Sequence, residues 1–238
     1  DFMTIQKAYL AGNQLLSNYL ANDGIIVDFL NQFIESNKTV DELFSTLSDD
    51  FIKILEAYSQ GINRYAELHP EEVLVKNLFP ITPKKMLNYS FLQLFISNGA
   101  DQLVSKIISN NTVDLSNLGI NDDIQGSNTF AFNNNKTKNG ETYLAINTHQ
   151  PLDGPNSWYE VHLNSEEGTN ILGATFAGAP CILTGVNEHL AWTHTVNYPD
   201  KADLFKLKMH NSKKNIYLVD NKEHKLEKYK AKLKYRIF

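Results

Sequence analysis

The apolar residues of this chain change their spacing near residue 115, and that change limits the fold more than any other feature. Before it the spacing is helical. Asp23 precedes Ile25, Ile26, Phe29, Leu30, Phe33 and Ile34, a stripe of three- and four-residue steps. Thr39-Val40-Asp41-Glu42 reads as a capping box, with Thr39 as N-cap and Glu42 reaching back. Ser48-Asp49-Asp50 opens a further helix carrying Phe51, Leu55, Tyr58, Ile62 and Tyr65, which His69-Pro70 ends. Thr82-Pro83 predicts an N-cap followed by proline in the first turn, starting a helix through Phe91, Leu94 and Phe95.

After residue 126 the period becomes two. Thr142 to Asn147, Trp158 to Leu163, Asn170 to Thr175 and Asp203 to Met209 read as strands, and Asn139-Gly140 as a hairpin turn. Lys230, Lys232, Lys234 and Arg236 alternate with Ala231, Leu233, Tyr235 and Ile237, the pattern of a two-faced strand. Between the halves, residues 110 to 126 are rich in Asn, Asp, Ser and Gly, an exposed connector of the kind where chains are cut. The expected organisation is a helical region over 1–115, a connector over 116–126 and a sheet region over 127–238. A helical pattern is already running at Ile5 and the last strand pattern is still running at Phe238. The chain is therefore expected to be a piece of a longer protein.

Composition excludes some roles. The net charge of −5 offers no basic field for nucleic acid, and only Arg64 and Arg236 could clamp a phosphate in bidentate fashion. The lysines from Lys213 onward are interleaved with Asp220, Glu223 and Glu227, which favours a solvated strand face over a nucleic-acid patch. Cys181 is alone, so no disulfide forms within the chain. No apolar run reaches the roughly 18 residues of a membrane span, and Asp1-Phe2-Met3 has no features of a leader. His189 and His194 have no Cys or carboxylate at ligand spacing, which argues against zinc.

The chemistry centres on Gly126-Ser127-Asn128-Thr129-Phe130-Ala131-Phe132. A serine at the first position of a strand is a nucleophile if the bond before it is cut, because the freed α-amine can take the hydroxyl proton. The same tripeptide is also an ordinary turn before a strand. Four segments follow in order: Leu144-Ala145-Ile146-Asn147-Thr148-His149-Gln150-Pro151; Ser157-Trp158-Tyr159-Glu160-Val161-His162-Leu163; Gly173 to Pro180 leading into Gly185-Val186-Asn187-Glu188-His189-Leu190-Ala191-Trp192; and Thr193-His194-Thr195-Val196-Asn197, with Asp200-Lys201-Ala202-Asp203 after it.

Together these resemble the penicillin acylase family of N-terminal nucleophile hydrolases, over roughly residues 126 to 206. His149 and Trp192-Thr193-His194-Thr195-Val196 are most similar to the acyl-homoserine lactone and aculeacin-type acylases. The resemblance implies an α+β fold, part of an αββα sandwich with a helical N-terminal half. It implies that Ser127 is the nucleophile, freed by self-cleavage after Gly126, and that His149 lies beside the serine amine. It makes the backbone N–H of Val196 an oxyanion donor and sets Ile182 and Leu183 in the region lining the acyl pocket, where core strand packing is the other reading. Asp200, Ala202 and Asp203 match a calcium-binding segment of some members; a turn with capping aspartates is the alternative.

The implied reaction is hydrolysis of a linear amide in a small acylated amine, with no organic cofactor, by an exported, periplasmic or secreted bacterial enzyme. The family's second oxyanion donor, an asparagine, lies downstream, so this stretch alone is expected to be inactive without the remainder of its precursor. A relative that has lost catalysis and serves in binding or as a scaffold, and an unrelated α+β binding domain, are the rival expectations.

Overall fold

The computed structural model describes residues 2–98, 104, 126–150, 152, 157–197 and 205–233. The connector before Gly126 therefore lies outside the described residues. Among the described residues six α-helices come first: α1 (Phe2–Gly12), α2 (Ser17–Leu20), α3 (Asn22–Phe33), α4 (Ser36–Leu43), α5 (Asp49–Leu68) and α6 (Pro83–Ser97). Nine strands follow among the described residues: β1 (Gly126–Phe132), β2 (Tyr143–His149), β3 (Trp158–Asn164), β4 (Asn170–Phe176), β5 (Thr184–Val186), β6 (Ala191–Trp192), β7 (Lys208–Met209), β8 (Ile216–Val219) and β9 (Lys222–Lys225). The fold is α+β. All described strand pairs are antiparallel, in the orders β1-β2, β3-β4-β5-β6 and β7-β8-β9.

Two helix starts form as the sequence predicts. The Ser48 hydroxyl accepts the Phe51 N–H at 3.3 Å at the start of α5, and Thr82 accepts the Lys85 N–H at 3.3 Å at the start of α6. Such caps contribute about 1 kcal/mol each by satisfying N–H groups that have no partner within the helix.

The capping box at Thr39 does not form. α4 begins at Ser36, with Glu35 before it in the left-handed region (φ 51°), and Thr39 lies inside the helix, its N–H bonded to the Glu35 carbonyl. The buried Ser36 hydroxyl is hydrogen-bonded to the Asn31 side chain of α3, and this contact starts the helix a turn early.

The apolar stripe expected on α3 is only partly its inner face. Gly24, Asp28, Leu30 and Asn31 are buried, while Phe33 is exposed. The reason is a helix cap supplied from a distance. Asp28 accepts the N–H groups of Leu16 (3.0 Å) and Ser17 (2.9 Å) and the Ser17 hydroxyl (2.5 Å) at the start of α2. Gly24 lets the backbones meet, since a Cβ there would lie 2.4 Å from the Ser17 nitrogen.

The helical core is built from Tyr9 and Leu10 of α1, Leu55 and Ile62 of α5, Leu78, Ile81, and Met86 and Tyr89 of α6. On α6 Met86, Tyr89 and Leu92 are buried, whereas Leu94 is exposed. The α1 crossing decides this. A Cβ on Gly12 would fall 2.3 Å from the Tyr89 Cα, so the two helices touch backbone to backbone at that point.

A buried hydrogen bond joins the first helix to the strand region. The Tyr9 hydroxyl donates to the Gly178 carbonyl at 2.6 Å, in the turn that links β4 to β5. Burial first, then the neighbouring Tyr58 and Tyr89, push the Tyr9 hydroxyl far above the usual phenol range, so it stays a donor.

The strand expected over Asp203–Met209 is reduced to β7, with 205–207 irregular and 203–204 outside the described residues. The strand expected from Lys230 is absent over 230–233. There the backbone groups of Lys232 are taken by a side chain: Gln32 donates to its carbonyl (2.8 Å) and accepts its N–H (3.0 Å). The lysine-rich β9 is exposed along its whole length, and Lys213 pairs with Glu223 at 2.6 Å, as a solvated face requires.

Candidate active site

β1 and β2 form a hairpin whose register pairs Gly126 with His149, Ser127 with Thr148 and Asn128 with Asn147. The 133–142 connection fixes that register. Asn133 accepts the Asn135 N–H, the Thr137 hydroxyl reaches the Glu141 carbonyl at 2.7 Å, and Gly140 takes the positive φ of 72° that the turn needs.

Side chains alternate across a strand, so the register sorts the candidate residues onto two faces. Ser127, Thr129, Leu144, Ile146 and Thr148 share one. Gly126, Asn128, Asn147 and His149 share the other.

The Ser127 hydroxyl donates to the carbonyl of Gly126 at 2.5 Å. The oxygen is thereby held next to the peptide bond that precedes its own residue. Ser127 is half-buried. On the opposite face the His149 ring lies over Gly126, with Nδ1 only 3.2 Å from where a Cβ would stand. A residue larger than glycine at 126 would press on that ring. His149 Nε2 is 3.1 Å from Asn128 Nδ2 and 3.4 Å from Asn147 Nδ2.

The face bearing Ser127 also bears Leu144 and Ile146, which line a cleft of about 410 Å³. Its opposite wall is one face of the β3–β6 sheet, including Glu160, Leu172, Ala174 and Val186. The cleft is mostly apolar, with one carboxylate.

Ile182 and Leu183 lie half-buried on the β4–β5 connection. Leu183 donates its N–H to the Ala174 carbonyl at 3.0 Å. The Ile182 methyl lies across the glycines of two strands, 2.5 Å from a Cβ built on Gly173 and 2.9 Å from one on Gly185, so both positions exclude a side chain. Val196 is half-buried in the irregular segment 193–197 that leaves β6. Asp200, Ala202 and Asp203 lie outside the described residues. His162, read as structural, is exposed and bonded to Asn170 at 2.9 Å. Trp158 packs on Phe176, ring centroids 4.3 Å apart. Among the described residues, the metal-capable grouping is His69, Glu71 and Glu72 at the end of α5, apart from all these sequence-based candidates.

Sequence reasoning missed Asn128, Asn147 and Tyr9. Asn128 stood inside the Gly-Ser-Asn segment, but its partner becomes visible only once the register is known. Nothing local marks Tyr9, whose partner is 169 residues away.

A family model described as penicillin amidase matches residues 1–237. Acyl-homoserine lactone acylase PvdQ of Pseudomonas fluorescens strain Pf0-1 is 25% identical over 225 residues, covering 85% of this chain and 28% of that protein. PvdQ of Pseudomonas fluorescens strain Pf-5 is 35% identical over 104 residues, 44% of this chain and 13% of that protein. Acyl-homoserine lactone acylase QuiP of Pseudomonas aeruginosa is 31% identical over 109 residues, 45% of this chain and 12% of that protein. The chain thus spans less than a third of the length of these relatives. With the family model running through the helices, the Ser127 hairpin and the strands after it, the chain belongs to the penicillin amidase family.

Proposed function

We propose that the protein to which this chain contributes is an amidohydrolase that removes the acyl group from a small acylated amine, with Ser127 as nucleophile. The observation that carries this reading is the Ser127 hydroxyl held at 2.5 Å from the Gly126 carbonyl oxygen, with His149 opposite the same peptide. In the first step Oγ attacks the Gly126 carbonyl carbon, the C–N bond breaks, and the acyl group passes to oxygen. The Ser127 nitrogen takes the hydroxyl proton and becomes the free α-amine, and water then hydrolyses the ester, releasing Gly126 as a C-terminal acid and restoring the Ser127 hydroxyl. In turnover the amine takes the hydroxyl proton as Oγ attacks the substrate amide. The amine product leaves with that proton, and water releases the acid.

The backbone N–H of Val196 is the oxyanion donor in this reading; a fixed backbone dipole needs no reorganisation as charge develops, and one donor is worth about 10²–10³ in rate. Ile182 and Leu183 line the acyl pocket, and an apolar acyl group suits them. The chemistry needs no organic cofactor. Calcium at Asp200, Ala202 and Asp203 remains part of the proposal, carboxylates and a carbonyl being suitable ligands. The chain divides into a helical region (1–115), a processing connector (116–126) and the start of a catalytic sheet (127–238), contributing to an αββα sandwich. The remainder of the precursor covers the hairpin aromatics Phe130, Phe132 and Tyr143, which are exposed here. The proposed location is periplasmic or secreted in a bacterium; no described helix is long and apolar enough to cross a membrane.

The test is intact-mass analysis of the full-length gene product beside Ser127→Ala, followed by assay on acyl-homoserine lactones, the substrates named for the relatives. Two chains with a new N-terminal Ser127 in the wild type alone, and hydrolysis in that protein alone, are the expected result. A single intact chain in both would replace this reading with a non-catalytic binding role.

A further inference from the structure

We propose that Asn128 is a positioning residue for His149. It fixes the imidazole as the tautomer with its proton on Nδ1, so that the ring presents an N–H, and not a lone pair, to the Gly126–Ser127 peptide. The proposal deepens the reading of Ser127 as nucleophile and rests on it for its catalytic consequence, but not for the tautomer itself.

Three observations combine. Asn128 Nδ2 stands 3.1 Å from His149 Nε2. Asn147 Nδ2 stands 3.4 Å from the same atom. The other ring nitrogen, Nδ1, faces Gly126. An amide nitrogen can only donate, so Nε2 must offer its lone pair, and a neutral ring then carries its proton on Nδ1. The register makes the arrangement reproducible: Asn128 pairs with Asn147 and Gly126 with His149, so all four positions share one hairpin face. The consequence is a division of labour. With a donor at the Gly126 end, His149 cannot take the Ser127 proton through that nitrogen, and the base is left to the α-amine of Ser127.

The experiment uses the full-length gene product labelled with ¹⁵N-histidine, both as wild type and as Ser127→Ala, which keeps the Gly126–Ser127 peptide intact. Long-range proton–nitrogen correlation identifies which ring nitrogen is protonated, with His149→Ala assigning the signals. The expected pattern in both is a protonated Nδ1 and an unprotonated Nε2. Asn128→Asp replaces the donor by an acceptor and should move the proton to Nε2. It should also slow scission at Gly126–Ser127 about ten- to a hundredfold, the scale on which supporting-shell substitutions act; Asn128→Gln, which keeps a donor, should recover part of the rate. A protonated Nε2 in the wild type or in Ser127→Ala overturns the proposal. So does an unchanged tautomer in a folded Asn128→Asp protein. If Asn128→Asp does not fold, the spectra of the other two decide. A wild type that has the expected tautomer but never cleaves would remove the nucleophile reading and leave the tautomer assignment standing.

Discussion

The Tyr9 hydroxyl and the Gly178 carbonyl form a buried 2.6 Å hydrogen bond that ties the first helix to the turn between β4 and β5. Gly178 has a φ of +85°, and a Cβ there would lie 3.1 Å from the Tyr9 ring. The turn thus has the conformation glycine favours and the space only glycine leaves.

Tyr9→Phe keeps the ring and removes the donor. It should lower unfolding stability by about 1–3 kcal/mol, because the Gly178 carbonyl is left buried without that partner. Gly178→Ala adds backbone strain to a tight contact, and should cost at least about 1 kcal/mol. Urea unfolding of each variant measures both. An unchanged midpoint in Tyr9→Phe would mean that water or another group satisfies the carbonyl.

Asp28 supplies the second stability prediction. Asp28→Ala strips the acceptor from two backbone N–H groups and should destabilise by about 2–4 kcal/mol. Burial holds the Asp28 carboxyl above its ordinary 3.8, against the lowering effect of its Ser17 and Leu16 hydrogen bonds. A raised carboxyl keeps its proton in the folded state at a pH where the unfolded chain has lost it. Its contribution is therefore full below about 3.8 and declines as pH rises through the higher folded value. Between those values the wild type should show a more negative slope of stability against pH than Asp28→Asn.

Gly126→Val tests the contact with His149. A Cβ at 126 meets Nδ1 at 3.2 Å, and the γ-methyls need more room still. The expected outcome is scission at least about tenfold slower with the helical region intact, read by time-resolved mass analysis and circular dichroism. That factor corresponds to about 1.4 kcal/mol on the barrier. Normal scission would mean that the ring swings away without consequence.

Gln32→Ala should release the segment around Lys232. Both backbone groups of Lys232 are satisfied by one amide, so its loss exposes them to water. Limited proteolysis should cut between 226 and 233 faster, with the rate in α5 unchanged as the internal control.

Much of this was legible in the sequence. The switch of period placed the helices and strands, and the caps at Ser48 and Thr82 formed because their signals are local. The strands β2, β3 and β4 lie within a few residues of their expected bounds. What failed depended on distant partners. Thr39 lost its cap because Ser36 found Asn31, and α3 turned a polar face inward because Asp28 caps another helix. The alternation after Lys230 lost its backbone partners to Gln32. Of the proposed site, Ser127 and His149 stand out in local segments, but their placement on opposite hairpin faces required the register.

That placement has a consequence for how such a protein can change. A slip of one residue between β1 and β2 would exchange every inward and outward position, pairing Ser127 with the wrong neighbour and carrying the imidazole away from Gly126. The 133–142 connection holds none of the residues proposed to react, yet its length keeps them in step. Substitutions there can be absorbed, whereas a single-residue insertion that the loop fails to absorb as a bulge would throw the hairpin out of phase. The same two faces allow independent drift: Leu144 and Ile146 can be exchanged to reshape what the hydroxyl meets without altering the asparagines that surround the ring.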